Sequence, residues 1–218
     1  MFENEKRMAA MEALKFVRND MRIGIGTGST AYYFIEGLSE LVKNGLRITG
    51  IPTSKKSEEL CRSFNIPVDY NIKDIDIDFD GADEFDPYGN LIKGGGGALV
   101  REKIVAYNSR EFYVLVDHSK YSERLHKFPL PVEVLPFMSE KTLENIERLG
   151  CRASFRDDKK FISDNGNYII DCVFSYTDPE LESQIKMIPG VVEVGIFRHL
   201  STKIFQGTID GCRIIDVK

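Results

Sequence analysis

The chain has 218 residues, 42% of them apolar and 29% charged, with a net charge of −5. That size suits one large domain or two small ones with room for a buried core. Mild acidity argues against nonspecific nucleic-acid binding, and without a run of about 18 apolar residues no membrane-spanning helix is expected.

Residues 3–18 read as an amphipathic helix with Ala9, Ala13, Phe16 and Val17 on one face. MRIGIG at 21–26 reads as a short buried strand. A polar glycine turn, Thr27 to Thr30, leads into the helical segment AYYFIEGLSELV, which makes a βα unit. The next strand is expected over 46–51, and 54–64 reads as a helix capped by Ser54. A third strand covers 75–79. A glycine-rich loop at 93–97 runs into a helix over about 98–109, and FYVLV at 112–116 is a fourth strand. Strands alternating with helices predict a mostly parallel sheet covered on both faces.

After about Phe128 the rhythm changes. PLPVEVLPF holds a strand bounded by prolines, and 139–149 reads as a helix that Gly150 ends. Strands are expected at 151–155 and 168–173, separated by the turn signal Asp164-Asn165-Gly166-Asn167. Asp178 and Pro179 offer an N-cap and a first-position proline for a helix to Met187. A single strand over 191–197 completes the order β-α-β-β-α-β, the split ferredoxin-like pattern. Length and alternation suggest that strands at 203–208 and 213–217 return to the first domain.

Four segments carry chemistry. In Gly24-Ile-Gly-Thr-Gly-Ser-Thr30, hydroxyls stand where a helix begins, and free N–H groups there favour an anion. The spacing is neither a Walker A loop nor a dinucleotide fingerprint, since Ser29 replaces the third glycine; a plain capped βα turn is the alternative. In DIDIDFDGADE, Asp74, Asp76, Asp78 and Asp80 alternate with apolar residues and share one strand face. Asp74, Asp76 and Asp78 read as a solvated or salt-bridged edge. Asp80 and Asp83, near the strand's carboxyl end, read as functional, because ligands bind at that edge of open α/β sheets. A divalent metal on that pair would compete with Lys93, and no histidine joins them.

In KGGGGALVRE, four glycines in a row are costly to order and suit a backbone that wraps a ligand. Glu102 follows in the first turns of a helix. It is either a base held ionised beside Lys93 or an ordinary dipole-stabilising glutamate. Asp117-His118-Ser119-Lys120 follows the FYVLV strand, and Lys120 could meet a phosphate or be a surface lysine. Anion donors, a carboxylate pair and a candidate base together fit proton transfer on a phosphorylated polyol. Cys61, Cys151, Cys172 and Cys212 are scattered without CxxC spacing, and His118, His126 and His199 are dispersed. No metal, no cofactor and no disulfide framework are expected. The charged start MFENEKRMAAMEALKF lacks the apolar core of a signal peptide, so a cytoplasmic protein with reduced thiols is expected.

These motifs resemble ribose-5-phosphate isomerase of the A type: GIGTGSTAYYFI at 24–35, DGADEFD at 80–86, KGGGGALVREKIVA at 93–106, DHSK, KFPLPVEVLP, SDNGNYIIDC at 163–172 and GTIDG at 207–211. The resemblance implies an α/β fold: a Rossmann-like parallel-sheet domain at 1–128 plus 200–218, with a smaller ferredoxin-like α+β domain inserted at 129–199. It implies interconversion of D-ribose 5-phosphate and D-ribulose 5-phosphate through an enediol(ate), in the non-oxidative pentose phosphate branch. Glu102 would be the general base, with Asp80, Asp83 and Lys93 also catalytic. Thr27, Gly28, Ser29 and Thr30 would bind the phosphate end. Asp80, Gly81, Ala82, Asp83, Lys93, Gly94, Gly95 and Gly96 would line the sugar site, and Lys120 would contact substrate. Lys6 falls where the family often carries a phosphate-binding lysine. The implied partner is a small sugar phosphate, with no nucleic acid or membrane, and the implied assembly is a homodimer or homotetramer. The alternatives are a noncatalytic sugar-phosphate sensor and an acyl-CoA transferase with Glu102 as nucleophile.

Overall fold

The computed structural model describes residues 2–71, 74–157 and 160–217. In chain order the elements are α1 (Glu3–Leu14), β1 (Met21–Ile25), α2 (Ser29–Lys43), β2 (Ile48–Pro52), α3 (Lys55–Ser63), β3 (Ile75–Gly81), β4 (Glu84–Phe85), β5 (Leu91–Ile92), α4 (Leu99–Tyr107), β6 (Ser109–Asp117), a 3-10 turn (His118–Lys120), β7 (Leu130–Val134), α5 (Ser139–Glu147), β8 (Arg152–Phe155), β9 (Tyr168–Val173), α6 (Leu181–Lys186), β10 (Val191–Val194), β11 (Ile196–Phe197), β12 (Lys203–Thr208) and β13 (Gly211–Asp216). They form two compact units. One comprises Met1–Ala82, Arg101–Lys120 and Leu200–Lys218; the other comprises Asp83–Val100 and Tyr121–His199. The division read from the sequence differs in giving 83–100 and 121–128 to the first domain.

The first unit is built on a mixed sheet in the order β13-β12-β6-β3-β1-β2, parallel throughout except for the antiparallel edge strand β13. Helix α1 buries Ala9, Ala10, Ala13 and Leu14. It ends at Leu14, earlier than its apolar spacing suggests, because the amides of Phe16 and Val17 bond back three residues to Ala13 and Leu14. That tightening lets Phe16 meet Tyr113 and Phe205 edge-on, at centroid distances of 5.4 and 5.3 Å. Phe79 stacks on Phe34 at 4.4 Å and meets Tyr113 at 5.5 Å. Rings as fully buried as Phe34 and Phe79 each contribute on the order of 1.5–3 kcal/mol. Helix α3 starts as its sequence predicts. The Ser54 hydroxyl accepts from Ser57 N–H at 3.0 Å and the Ser57 hydroxyl from Ser54 N–H at 3.1 Å, a reciprocal cap.

The aspartate ladder of β3 divides differently from the expectation. Asp74 and Asp76 fit a salt-bridged edge: Arg22 lies 3.8 Å from Asp74 and Arg110 3.7 Å from Asp76, which also accepts from Arg22 N–H at 2.8 Å. Asp78 is not solvated: it is fully buried on β3, an interior strand of the sheet. Gly24 on the neighbouring strand makes its room, since a Cβ there would lie 2.3 Å from Asp78 Oδ1.

The second unit holds two antiparallel sheets, β10-β7-β9-β8 and β11-β5-β4. From Leu130 to Val194 its elements run β7, α5, β8, β9, α6, β10, around a core that includes Leu130, Val132, Ile146, Ile170 and Ile185. Two local expectations are corrected. The strand expected over 191–197 is two strands in different sheets, broken at Gly195. The Gly195 N–H donates to Pro131 O at 2.7 Å and its carbonyl accepts from Lys93 N–H at 2.8 Å. The helix expected from Asp178 begins at Leu181. The Asp178 carboxylate caps Glu180 N–H at 2.9 Å instead, and its carbonyl accepts from Leu181 N–H, closing a turn before the helix.

Two buried glutamates brace this unit. Glu84 accepts from the amides of His126, Lys127 and Phe128 at 2.9–3.1 Å. Burial opposes its charge, but the Ser122 hydroxyl and those amides outweigh it and hold the carboxyl below its ordinary value. Glu133 accepts from Ser163, Asn165 and Asn167 side chains at 2.8–3.1 Å, which gives the SDNGN run a structural purpose.

Candidate active site

Within the first unit, the neighbouring strands β1, β3 and β6 end at one edge of the sheet. The Thr27–Thr30 turn follows β1, Asp80 and Gly81 close β3, and the His118–Lys120 turn follows β6. Pairing of Ile25 with Phe79 sets Thr27 beside Asp80. Fully buried, Asp80 accepts from Thr27 N–H at 3.0 Å and Gly81 N–H at 2.7 Å. Gly26 is required here: a Cβ on it would fall 2.0 Å from Asp80 Oδ1 and 2.6 Å from the Asp80 Cα. The Thr27 hydroxyl lies 3.0 Å from that of Thr53 and donates to Ser54 at 2.8 Å. Thr53 and Ser54 leave β2 at the same edge and lock the turn.

Helix α2 starts at Ser29 on a Gly28 held at φ 116°. Its first amides and macrodipole favour an anion. A cavity of about 300 Å³ opens beside this turn, lined by Gly26 to Ser29 and by Lys56 and Ser57 among others.

Helix α4 ends one residue before β6 begins, so it runs back along the sheet and its start points to the carboxyl edge. Val105 packs on Gly24, whose Cβ would lie 2.5 Å from Val105 Cγ1. Glu102 lies one turn earlier on the same helix face, toward the edge that carries Asp80, and is only 3% exposed. Lys120 closes the turn after β6, where Asp117 accepts from Ser119 N–H at 3.0 Å and from its hydroxyl. Lys6 pairs with Glu3 at 2.9 Å on α1. The next helix residue on its N-terminal side, Glu5, accepts from His118 N–H at 3.1 Å and faces His118 Nδ1 at 2.5 Å, tying α1 to the Lys120 turn.

Within the second unit, Asp83 and the Lys93 loop form one assembly. Asp83 Oδ2 accepts from Gly95 N–H at 2.7 Å, and Asp83 N–H donates to Ile92 O at 2.9 Å. A Cβ on Gly95 would come within 2.5 Å of the Asp83 carboxylate, which explains one glycine of the run. Lys93 is 2% exposed, its backbone fixed by Gly195 and its ammonium 5.5 Å from the Phe197 ring centroid. Gly94 is buried and Gly96 is exposed at the loop tip. Arg156 donates to the carbonyls of Gly94 and Gly95, both at 2.9 Å.

The first unit thus brings Thr27, Asp80 and Gly81 into contact and carries Gly28, Ser29, Thr30, Ala82, Glu102 and Lys120 around the same edge, while Lys6 stands in an ion pair on α1. The second brings Asp83, Lys93, Gly94 and Gly95 together. Sequence reasoning passed over Thr53 and Arg156. A hydroxyl pair directly after the second strand could have pointed to Thr53; nothing local points to Arg156. Among the described residues, no group of three or more His, Cys, Asp or Glu is arranged to hold a metal, and no helix is long and apolar enough to cross a membrane.

The family model for ribose 5-phosphate isomerase A (phosphoriboisomerase A) matches residues 49–211. A ribose-5-phosphate isomerase A of Thermoplasma volcanium is 52% identical over 98% of this chain and 92% of its own. The solved ribose 5-phosphate isomerase A of Methanocaldococcus jannaschii superposes with a TM-score of 0.95 at 43% identity, covering 99% of this chain and all of that one. A D-ribose-5-phosphate isomerase solved in complex with phospho-erythronic acid superposes with a TM-score of 0.94 at 41% identity, covering 98% of each chain.

Proposed function

The chain belongs to the ribose 5-phosphate isomerase A family and is an isomerase, and we propose that it interconverts D-ribose 5-phosphate and D-ribulose 5-phosphate without a metal, with Glu102 as general base. In this reading the chain is a Rossmann-like domain with an inserted ferredoxin-like domain, acting as a cytoplasmic homodimer or homotetramer. The phosphate of the open-chain aldose binds the Thr27–Thr30 turn, assisted by Lys120 and Lys6. Glu102 takes the proton from C2, an enediol(ate) forms, and the same carboxylate returns the proton to C1. Asp80, Asp83 and the loop from Lys93 to Gly96 orient the hydroxyls, and Lys93 stabilises the developing oxyanion.

The observation that carries this reading is the burial of Glu102 in the first turn of α4, on the face and toward the edge that hold Asp80 and the hydroxyl turn. A carboxylate kept from bulk water near a phosphate-binding turn suits proton transfer on a sugar phosphate. The solved relative's complex with phospho-erythronic acid, a phosphorylated sugar acid, supports a sugar phosphate as the ligand here.

The test is an assay of the purified chain with ribose 5-phosphate in the presence of EDTA. Ribulose 5-phosphate should form at the same rate as without the chelator. Loss of activity on chelation would remove the metal-free mechanism. Binding without turnover would favour the sugar-phosphate sensor, and a covalent acyl or CoA adduct on Glu102 the transferase.

A further inference from the structure

We infer that Arg156 is a positioning residue for the isomerase reaction, one that fixes the backbone of the Lys93 loop from beneath. This rests on the functional reading above, which gives that loop its role. Arg156 directly follows β8, and its N–H continues the ladder to Ile169 O at 2.8 Å. Its guanidinium is used on two sides. Nε and Nη2 grip Asp171 of β9 at 2.9 and 2.5 Å, a two-point pairing that fixes the plane of the fork. Nη1 then points at the loop and donates to both Gly94 O and Gly95 O at 2.9 Å. The Arg156 side chain is only 13% exposed and its partner Asp171 24%.

Two consecutive carbonyls turned toward one nitrogen leave little freedom in the intervening peptide. With those carbonyls held inward, the Gly95 N–H is free to point the other way, and it does so, to Asp83. The Gly97 N–H closes the loop on Gly94 O at 2.9 Å, and Phe161 packs where a Gly97 Cβ would sit, 2.4 Å from its ring. A glycine run has almost no stiffness of its own, so its shape must come from outside. Arg156 supplies it, joining the end of β8 to the backbone of the loop that carries Lys93 and bonds Asp83 within the second unit. A lysine could not replace it, since one ammonium cannot hold a carboxylate at two points and still reach two carbonyls in a fixed plane.

Arg156→Ala should lower kcat by about 10²-fold, the cost of loosening groups that must meet a transition state. Added guanidinium at millimolar concentration should restore part of that kcat, whereas equal concentrations of sodium chloride or urea should not. Amide hydrogen exchange of residues 94–97 should rise by about tenfold in the variant, while exchange in β7 stays as in the wild type. Asp171→Asn, which keeps the arginine but loosens its fork, should give the same pattern at smaller amplitude and serves if Arg156→Ala does not fold. A wild-type kcat in Arg156→Ala, or unchanged exchange at 94–97, would overturn the assignment. Should the wild-type chain fail to turn over ribose 5-phosphate, the functional reading falls, and the exchange comparison still decides whether Arg156 holds the loop.

Discussion

Glu102→Gln is expected to lower kcat by about 10³-fold, within the range that a positioned acid–base group supplies, while the affinity for ribose 5-phosphate stays close to that of the wild type. The substitution keeps the size of the side chain and its place in the first turn of α4. What it removes is a group able to accept a proton from carbon and give it back. Glutamine also places hydrogen-bonding oxygen and nitrogen at the same point in the helix start, so the variant is expected to fold. Steady-state kinetics with a parallel binding measurement checks it. An unchanged KM with a collapsed kcat marks an interaction made only in the transition state. Near-normal turnover would remove Glu102 from the role of base.

Lys93→Met should follow with a loss of about 10²–10³-fold in kcat, the effect of deleting one donor to a developing oxyanion. Methionine retains an unbranched stem of similar length and gives up the ammonium, which lies 5.5 Å from the Phe197 ring centroid. The backbone anchor at Gly195 is untouched by the change. Lys93→Arg should not restore the rate, because a planar fork cannot replace a compact point charge at a residue only 2% exposed. A Lys93→Met chain with kcat within a few-fold of wild type would assign the oxyanion to other donors.

Much of the architecture is legible along the chain because the long elements carry their own signals. The βα rhythm, the Ser54 cap and the strand over Tyr168–Val173 follow from periodicity and capping residues. The elements that escape reading are those whose reason lies far away in sequence. Strands β4 and β5 have two residues each, too few to show a period, and exist because Asp86 closes the turn between them by accepting from the amides of Tyr88 and Asn90. The break at Gly195 depends on Pro131 and Lys93, more than sixty residues upstream. Asp78 looks like a solvated carboxylate until the strand order puts β3 between β1 and β6.

The candidate site shows the same division. Polar residues that would touch a substrate cluster in short motifs and can be picked out one by one. The DGADEFD run is legible as a unit, yet its carboxylates do four different jobs: Asp80 braces the Thr27 turn, Asp83 holds Gly95, Glu84 gathers three amides and Asp86 closes a hairpin. Of the residues that hold those groups in place, Thr53 is marked only by the hydroxyl pair it forms with Ser54 after β2, and Arg156 carries no local mark, since its partners are supplied by the fold.

The central claim is that one carboxylate moves a proton between C2 and C1 of the sugar phosphate, and isotopic exchange tests it most directly. When the wild-type chain isomerises ribose 5-phosphate in D2O, solvent deuterium should appear at C1 of the ribulose 5-phosphate formed, because a proton held on Glu102 can exchange before it is returned. Product whose C1 hydrogen comes wholly from C2, with no solvent deuterium at any stage and the same rate in Glu102→Gln, would point to direct hydride transfer and contradict the mechanism.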